Sequence, residues 1–213
     1  FTYSILDNQG ALSNSATVTI TINARPVTSN DSALTNKGAP VIINVIANDN
    51  DPNGTIQANS VNVLLAPTNG NAVANANGTV TYSPDPIFSG PDDSFTYAVS
   101  DNEGAISNVA TVNIHINLLP QATGMCRTTP QENAFNGTLP ANDPDNSPGG
   151  LTFKLGSNGF FGDGPMDTSK GSVQITDNTT GAFTYTPLAH PSPRVTDSFT
   201  YYVEDTEGGF TAS

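Results

Sequence analysis

The sequence predicts an all-β chain of tandem two-sheet sandwiches, and three observations carry that reading. First, the phrase Phe-Thr-Tyr occurs at Phe1, Phe95 and Phe199, intervals of 94 and 104 residues. Each copy is followed at one distance by an aspartate (Asp7, Asp101, Asp205) and three residues later by a glycine (Gly10, Gly104, Gly208). A repeat that long denotes one small domain per period, not a short-repeat solenoid. Second, apolar and polar residues alternate with period two, as in Val112, Ile114 and Ile116 against Asn113, His115 and Asn117, which puts one strand face on a core and one in water. Third, no long stretch carries apolar residues at helical spacing without an interrupting Gly, Pro or Asn.

The elements follow in order. Residues 1–26 correspond to the last two strands of a preceding domain, with Val18, Ile20 and Ile22 alternating against Thr17, Thr19 and Thr21. Phe1–Asn23 and Phe95–Asn117 share 15 of 23 residues. Residues 27–120 form a complete domain with expected strands Ser32–Asn36, Val41–Ala47, Ser60–Ala66, Asn71–Asn75, Thr79–Ser83, Ser94–Ser100 and Ala110–Asn117. Turn pairs such as Asn69-Gly70 and Asn77-Gly78 separate them. Seven short strands in about 90 residues is the pattern of an immunoglobulin-like sandwich. Residues 121–213 repeat the order through Phe135–Pro140, Leu151–Gly156, Ser172–Thr176, Ala182–Pro187 and Ser198–Glu204, with a Gly-rich loop inserted at Phe160–Ser169. The last strand of this domain is expected to be missing. Two linkers, Ala24-Arg25-Pro26 and Leu118-Leu119-Pro120, each hold a proline that fixes φ and stiffens the joint. Short, stiff linkers favour an extended rod.

The block Asp-Ser-Phe-Thr-Tyr-x-Val-x-Asp-x-x-Gly, at Asp93–Gly104 and Asp197–Gly208, resembles the bacterial Ig-like and cadherin-like tandem domains of large surface adhesins. The trailing strand Ala110–Asn117 and the turn phrases Asn77–Pro84 and Gly181–Pro187 fit the same family. The resemblance covers essentially the whole chain. It implies Greek-key β-sandwiches in tandem, a bacterial cell-surface or secreted location, frequent Ca²⁺ binding, and a role in extending an adhesive tip. Linkers of this family commonly carry an Asn-Asp-x-Pro phrase; here they read Asn23-Ala24-Arg25-Pro26 and Asn117-Leu118-Leu119-Pro120.

Charge narrows the partners. Nineteen acidic residues against six basic ones give a net charge of −13, which disfavours phosphate backbones and anionic lipid and suits cations. No apolar run reaches the length of a membrane span, so direct membrane insertion of this segment is not expected. The single cysteine, Cys126, excludes an internal disulfide and reads as a small apolar filler. The candidate metal ligands are Asp31, Asp49 and Asp51 with Asp101 at one end of the middle domain. Asp143, Asp145 and Asp205 stand at the matching end of the last domain, and Asp92 and Asp93 point to the opposite end, toward the next joint. Asp and Asn side chains with loop carbonyls can supply the six to eight oxygens Ca²⁺ takes. The alternative is that these residues are turn formers bonding their own backbone.

Phe95, Tyr97 and Val99 share a strand face and read as core, with Tyr97 a candidate corner tyrosine. His115 and His190 lack nearby nucleophiles, and no hydrolase, zincin or P-loop motif is present, so no enzyme activity is expected. The leading expectation is a non-catalytic extender segment of a surface or secreted adhesin, stiffened by Ca²⁺ at its domain joints. Its partners would be the neighbouring Ig-like domains of the same chain. One alternative is a fibre subunit that pairs strands with copies of itself. Another is an accessory binding module of an extracellular carbohydrate-active enzyme.

Overall fold

The structure, a computed structural model, describes residues 1–130, 132–145, 150–157, 160–162, 164–189 and 196–212. It is all-β, with one short 3-10 turn at Ala58–Ser60. No described helix is long and apolar enough to cross a membrane, which leaves β-barrels untouched. His190 lies outside the described residues.

The first segment holds β1 (Thr2–Tyr3) and β2 (Ala16–Thr17), paired antiparallel. The middle domain follows with β3 (Asp31–Asn36), β4 (Val41–Asn44), β5 (Asn62–Leu65), β6 (Gly70–Ala74), β7 (Thr79–Pro84), β8 (Asp92–Ala98) and β9 (Ala110–Asn117). One sheet has the order β3-β9-β8-β5 and the other β4-β7-β6. β3 runs parallel to β9, whereas the remaining pairs of these two sheets are antiparallel. Sequentially distant strands are therefore neighbours, as an immunoglobulin-like sandwich requires.

The core between the sheets is built by alternation. Phe95 and Tyr97 from β8, Val112, Ile114 and Ile116 from β9, and Val80 and Tyr82 from β7 are all buried in one cluster. At the tip of the β6–β7 hairpin, Gly78 sits at φ +87°, where an added Cβ would lie 2.3 Å from Ile46 Cδ1. The Asn77-Gly78 pair is thus needed for both backbone sign and space. The expected strand Val41–Ala47 stops at Asn44, and the Tyr97 hydroxyl donates to the carbonyl of the next residue, Val45, at 2.6 Å. That bond also gives Tyr97 its corner role, joining the two sheets.

The last domain contains β10 (Gln121–Ala122), β11 (Phe135–Thr138), β12 (Ala141–Asn142), β13 (Thr152–Ser157), β14 (Phe160–Gly162), β15 (Met166–Asp167), β16 (Gly171–Asp177), β17 (Ala182–Pro187), β18 (Thr200–Glu204) and β19 (Phe210–Ala212). Its larger sheets are β11-β17-β16-β15 and β14-β13-β18-β19. Phe153, Leu155, Val173, Phe183, Tyr201 and Val203 form its core. The stretch expected to be an inserted loop contributes β14 and β15 instead, because backbone groups there find ladder partners on β13 and β16. β19 pairs with β18 from Glu204↔Phe210 onward, the register that Ser100↔Ile106 shows in the middle domain. Cys126 is exposed, not a filler of the core.

The first segment departs from expectation in an informative way. Its Val18–Asn23 stretch does not form the alternating strand seen at Val112–Asn117. β9 is laddered on both sides, by β3 and β8, whereas β2 has only β1. Ile20 is 71% exposed and its counterpart Ile114 is 1% exposed. A hairpin alone offers no second layer to bury against. Accordingly, Ile114→Ala should cost about 2–5 kcal/mol in urea unfolding, while Ile20→Ala should stay within about 0.5 kcal/mol.

Candidate functional site

The acidic loops gather where domains meet. At the first joint, Asn23 Nδ2 donates to Asp101 Oδ2 at 2.7 Å. At the second, Asn117 Nδ2 donates to Asp205 Oδ2 at 3.0 Å. Both aspartates are buried. Their other oxygen closes the local turn: Asp101 Oδ1 accepts from the Glu103 and Ala105 amides, and Asp205 Oδ1 from those of Glu207 and Gly209. Asp7 makes the same turn with Gln9 and Ala11. The turn-forming and joint-forming roles are thus divided between the two oxygens of one carboxylate. Burial pushes the Asp101 carboxyl up, but the Asn23 amide and the backbone N–H groups of Ala105, Glu103 and Gly104 outweigh it, so it lies below its ordinary value.

Each linker is held a second time. Asn53 Oδ1 accepts from Ala24 N and its Nδ2 donates to Ile22 O at the first joint. At the second, Asp145 Oδ2 accepts from Leu118 N. Leu118 is buried there, as is Asn117, which also donates to Asn36 Oδ1.

The remaining candidates divide by whether their oxygens are satisfied. Asp93 accepts from the Tyr82 hydroxyl at 2.9 Å and from the amides of Thr68 and Asn69. It faces the interior of its own domain. Asp92, next to it on the opposite strand face, reaches His115 Nδ1 at 3.0 Å. Asp197 repeats the Asp93 arrangement, taking the Tyr185 hydroxyl at 2.7 Å together with Thr168, Ser169 and the Lys170 amide. Burial raises it, those donors more than compensate, and it is held at about 2. Tyr185 is pushed up to about 12 by burial and by that carboxylate.

Asp31 and Asp49 are less fully satisfied, although Asp49 Oδ1 accepts from the Ser29 amide at 2.9 Å. The one proton of the Tyr97 hydroxyl serves Val45 O, yet Ser29 O and both Asp49 oxygens also lie within 3.3 Å of it. Asp31 Oδ2 is buried with no hydrogen-bond partner. Burial is the main cause that raises both carboxyls, and the Asp49 charge adds to it at Asp31. Asp51 Oδ2 is likewise buried without a partner. It sits beside Gly54 with Asn102 Oδ1 and Glu103 Oε2, which lie 2.6, 2.7 and 3.1 Å from where a Gly54 Cβ would stand. Oxygen acceptors in excess of donors are what a hard cation relieves; among the described residues, though, the group of three or more His, Cys, Asp or Glu with ligand atoms within 4.8 Å of one another is His115, Asp145 and Glu207, not this set. In the last domain Asp143 and Asp145 are partly buried near the second joint, but Met125, packed against the core, occupies the position corresponding to Asp31. The two ends are therefore not chemically identical. Sequence reasoning placed Glu103 and Glu207 in the acidic loops Asp101-Asn102-Glu103 and Asp205-Thr206-Glu207, but missed Asn23 and Asn117 as joint donors and His115 as a joint neighbour; only the matched spacing of the Asn residues before each linker hinted at them.

A family model for the bacterial Ig domain matches residues 23–115 and again 117–213. No curated protein matches the sequence. Among solved structures, an endo-fucoidan hydrolase of glycoside hydrolase family 107 is similar at 16% identity and a TM-score of 0.36, over 90% of this chain and 34% of that one. The human desmocollin-1 ectodomain is similar at 12% identity and a TM-score of 0.36, over 91% and 36%. An I-band fragment of titin is similar at 12% identity and a TM-score of 0.42, over 89% and 64%. The chain spans about a third of the length of the fucoidan hydrolase chains.

Two outcomes follow from the geometry. Asn117→Ala strands a buried Asp205 oxygen and should cost about 1–3 kcal/mol in the unfolding of the last domain. In chelator, ionised Asp31 and Asp49 weaken the middle domain at neutral pH. Because their folded-state values are raised above the ordinary 3.8, that penalty fades as pH falls through the raised values toward 3.8. Calorimetric melting should therefore rise on mild acidification, and Asp31→Asn should remove most of the rise.

Proposed function

The chain belongs to the bacterial Ig domain family, in two tandem copies, and from that premise we propose that it is a non-catalytic spacer segment of a bacterial cell-surface or secreted adhesin. The observation that carries this reading is the recurrence of one joint: a buried aspartate of each domain locked to the asparagine that precedes its linker. A repeated, direct contact between successive units of the repeat sets their relative orientation and so the reach of an array. Relative domain motion is otherwise the default for small interfaces.

Ca²⁺ supplies charge neutralisation at the acidic ends. In the middle domain Asp31 and Asp49 would hold one ion, and Asp51 with Glu103 and Asn102 would offer ligands beside the first joint. Asp143 belongs to the matching end of the last domain. Without the ion, like charges at these ends repel. Binding should fall in the weak range of extracellular modules, about 10⁻⁴–10⁻³ M.

The test is small-angle scattering of the chain with Ca²⁺ and with chelator, alongside calorimetric titration. A stiffer, longer particle and a thermal shift in Ca²⁺ are expected, and both should shrink in Asp31→Asn/Asp51→Asn. An unchanged maximum dimension with no heat would remove the Ca²⁺ part of the reading.

A second reading, a fibre subunit, is favoured by the apolar face of the first segment. Phe1, Ile20 and Ile22 are exposed there while their counterparts Phe95, Ile114 and Ile116 are buried. Sedimentation across a concentration series separates the two readings: a monomer at high concentration excludes the fibre.

A further inference from the structure

His115 lies on β9, two residues before the second linker's asparagine. Register pairs it directly with Asp92 of β8, and Asp92 Oδ1 stands 3.0 Å from Nδ1. The other ring nitrogen faces the next domain, where Glu207 Oε2 is 3.5 Å from Nε2. Asp145 completes the group: one ligand atom each from His115, Asp145 and Glu207 lie within 4.8 Å of one another, and all three residues are partly buried. We propose that His115 Nε2, Asp145 and Glu207 form an interdomain site for a divalent transition-metal ion of the Zn²⁺ type, with Asp92 orienting the imidazole.

Four features converge on this assignment. The ligand set is one imidazole nitrogen and two carboxylates, and imidazole selects Zn²⁺-like ions over Ca²⁺ and Mg²⁺. The 3.5 Å between Nε2 and Oε2 is long for an N–H···O bond but close to the separation of about 3.4 Å that two ligands have on a tetrahedral ion at 2.0–2.2 Å. Asp92 on Nδ1 is the carboxylate–histidine arrangement that fixes the tautomer leaving Nε2 to bind metal. Finally, both carboxylate residues are oriented: the Leu118 amide donates to Asp145 Oδ2, and the Glu207 backbone amide donates to Asp205 Oδ1. Three protein ligands leave a position for water. The first joint has Asp51 and Glu103 in the matching places but Thr21 where His115 stands, so the nitrogen ligand belongs to the second joint alone.

The inference deepens the spacer reading, since the ion would tie β9 of one domain to two loops of the next, but its ion and ligands differ from those of the Ca²⁺ sites. The test is calorimetric titration of the whole chelator-treated chain with Zn²⁺ in Ca²⁺-saturated buffer, paired with Co²⁺ substitution read by visible absorption. One Zn²⁺ per chain and an intense tetrahedral Co²⁺ spectrum are expected. His115→Ala and Glu207→Gln should each lower affinity by more than about 100-fold, and Asp92→Asn by about 10–100-fold. Thermal melts confirm folding, and His115→Gln serves if the alanine variant is unstable. Absence of Zn²⁺ binding in the parent chain, or binding unchanged in both His115 variants, overturns the site. Ca²⁺-dependent stiffening retained in His115→Ala leaves the spacer reading standing whichever way the Zn²⁺ result falls.

Discussion

The arrangement of the chain depends on one buried carboxylate per domain that serves two hydrogen-bonding tasks at once. Asp101 and Asp205 each use one oxygen to close the turn after Phe-Thr-Tyr and the other to receive the side chain of the asparagine that precedes the linker. A charge-assisted bond removed from water is stronger and more directional than a surface contact, and a buried carboxylate without its donor is costly. The turn therefore cannot reach its satisfied state fully unless the domain before it is in place. Asp7 shows the half that is purely local, with the Gln9 and Ala11 amides bound as in the later copies.

Around that anchor the acidic residues fall into two populations, and this division gives the chain its chemistry. Asp93 and Asp197 each face a tyrosine hydroxyl and backbone amides, so they are structural anions that brace the sheet interior. Asp31 and Asp51 carry buried oxygens with no donor. A net charge of −13 is tolerable when its members are solvated or hydrogen-bonded. It is costly where acceptors crowd together, as around the Tyr97 hydroxyl.

The two joints share a backbone plan and differ in side-chain chemistry. Asn53 receives the linker amide at the first and Asp145 at the second. Thr21 and His115 occupy the same position of the repeat at the two joints. Tandem domains can thus keep one packing solution while changing the side-chain chemistry of each joint, because positions outside the core are free to vary when the inward phase carries it.

By itself the sequence determined the all-β class, the repeat, the two linkers and most strands of the middle domain, because period-two alternation and Asn-Gly turns act over a few residues. It also placed Phe95, Tyr97 and Val99 in a core and Asp101 and Asp205 in equivalent loops. It could not separate Val18–Asn23 from Val112–Asn117, which read alike; only the presence of β3 and β8 beside the second makes it a buried strand. Nor could it show that Asp93 turns inward to Tyr82 while Asp92 turns out to His115, or that His115 meets Glu207 from the next domain. Those facts depend on cross-strand register and on contacts between domains. Residues far apart in the chain become neighbours only when both sandwiches are built, so the joint's chemistry is a property of tertiary structure.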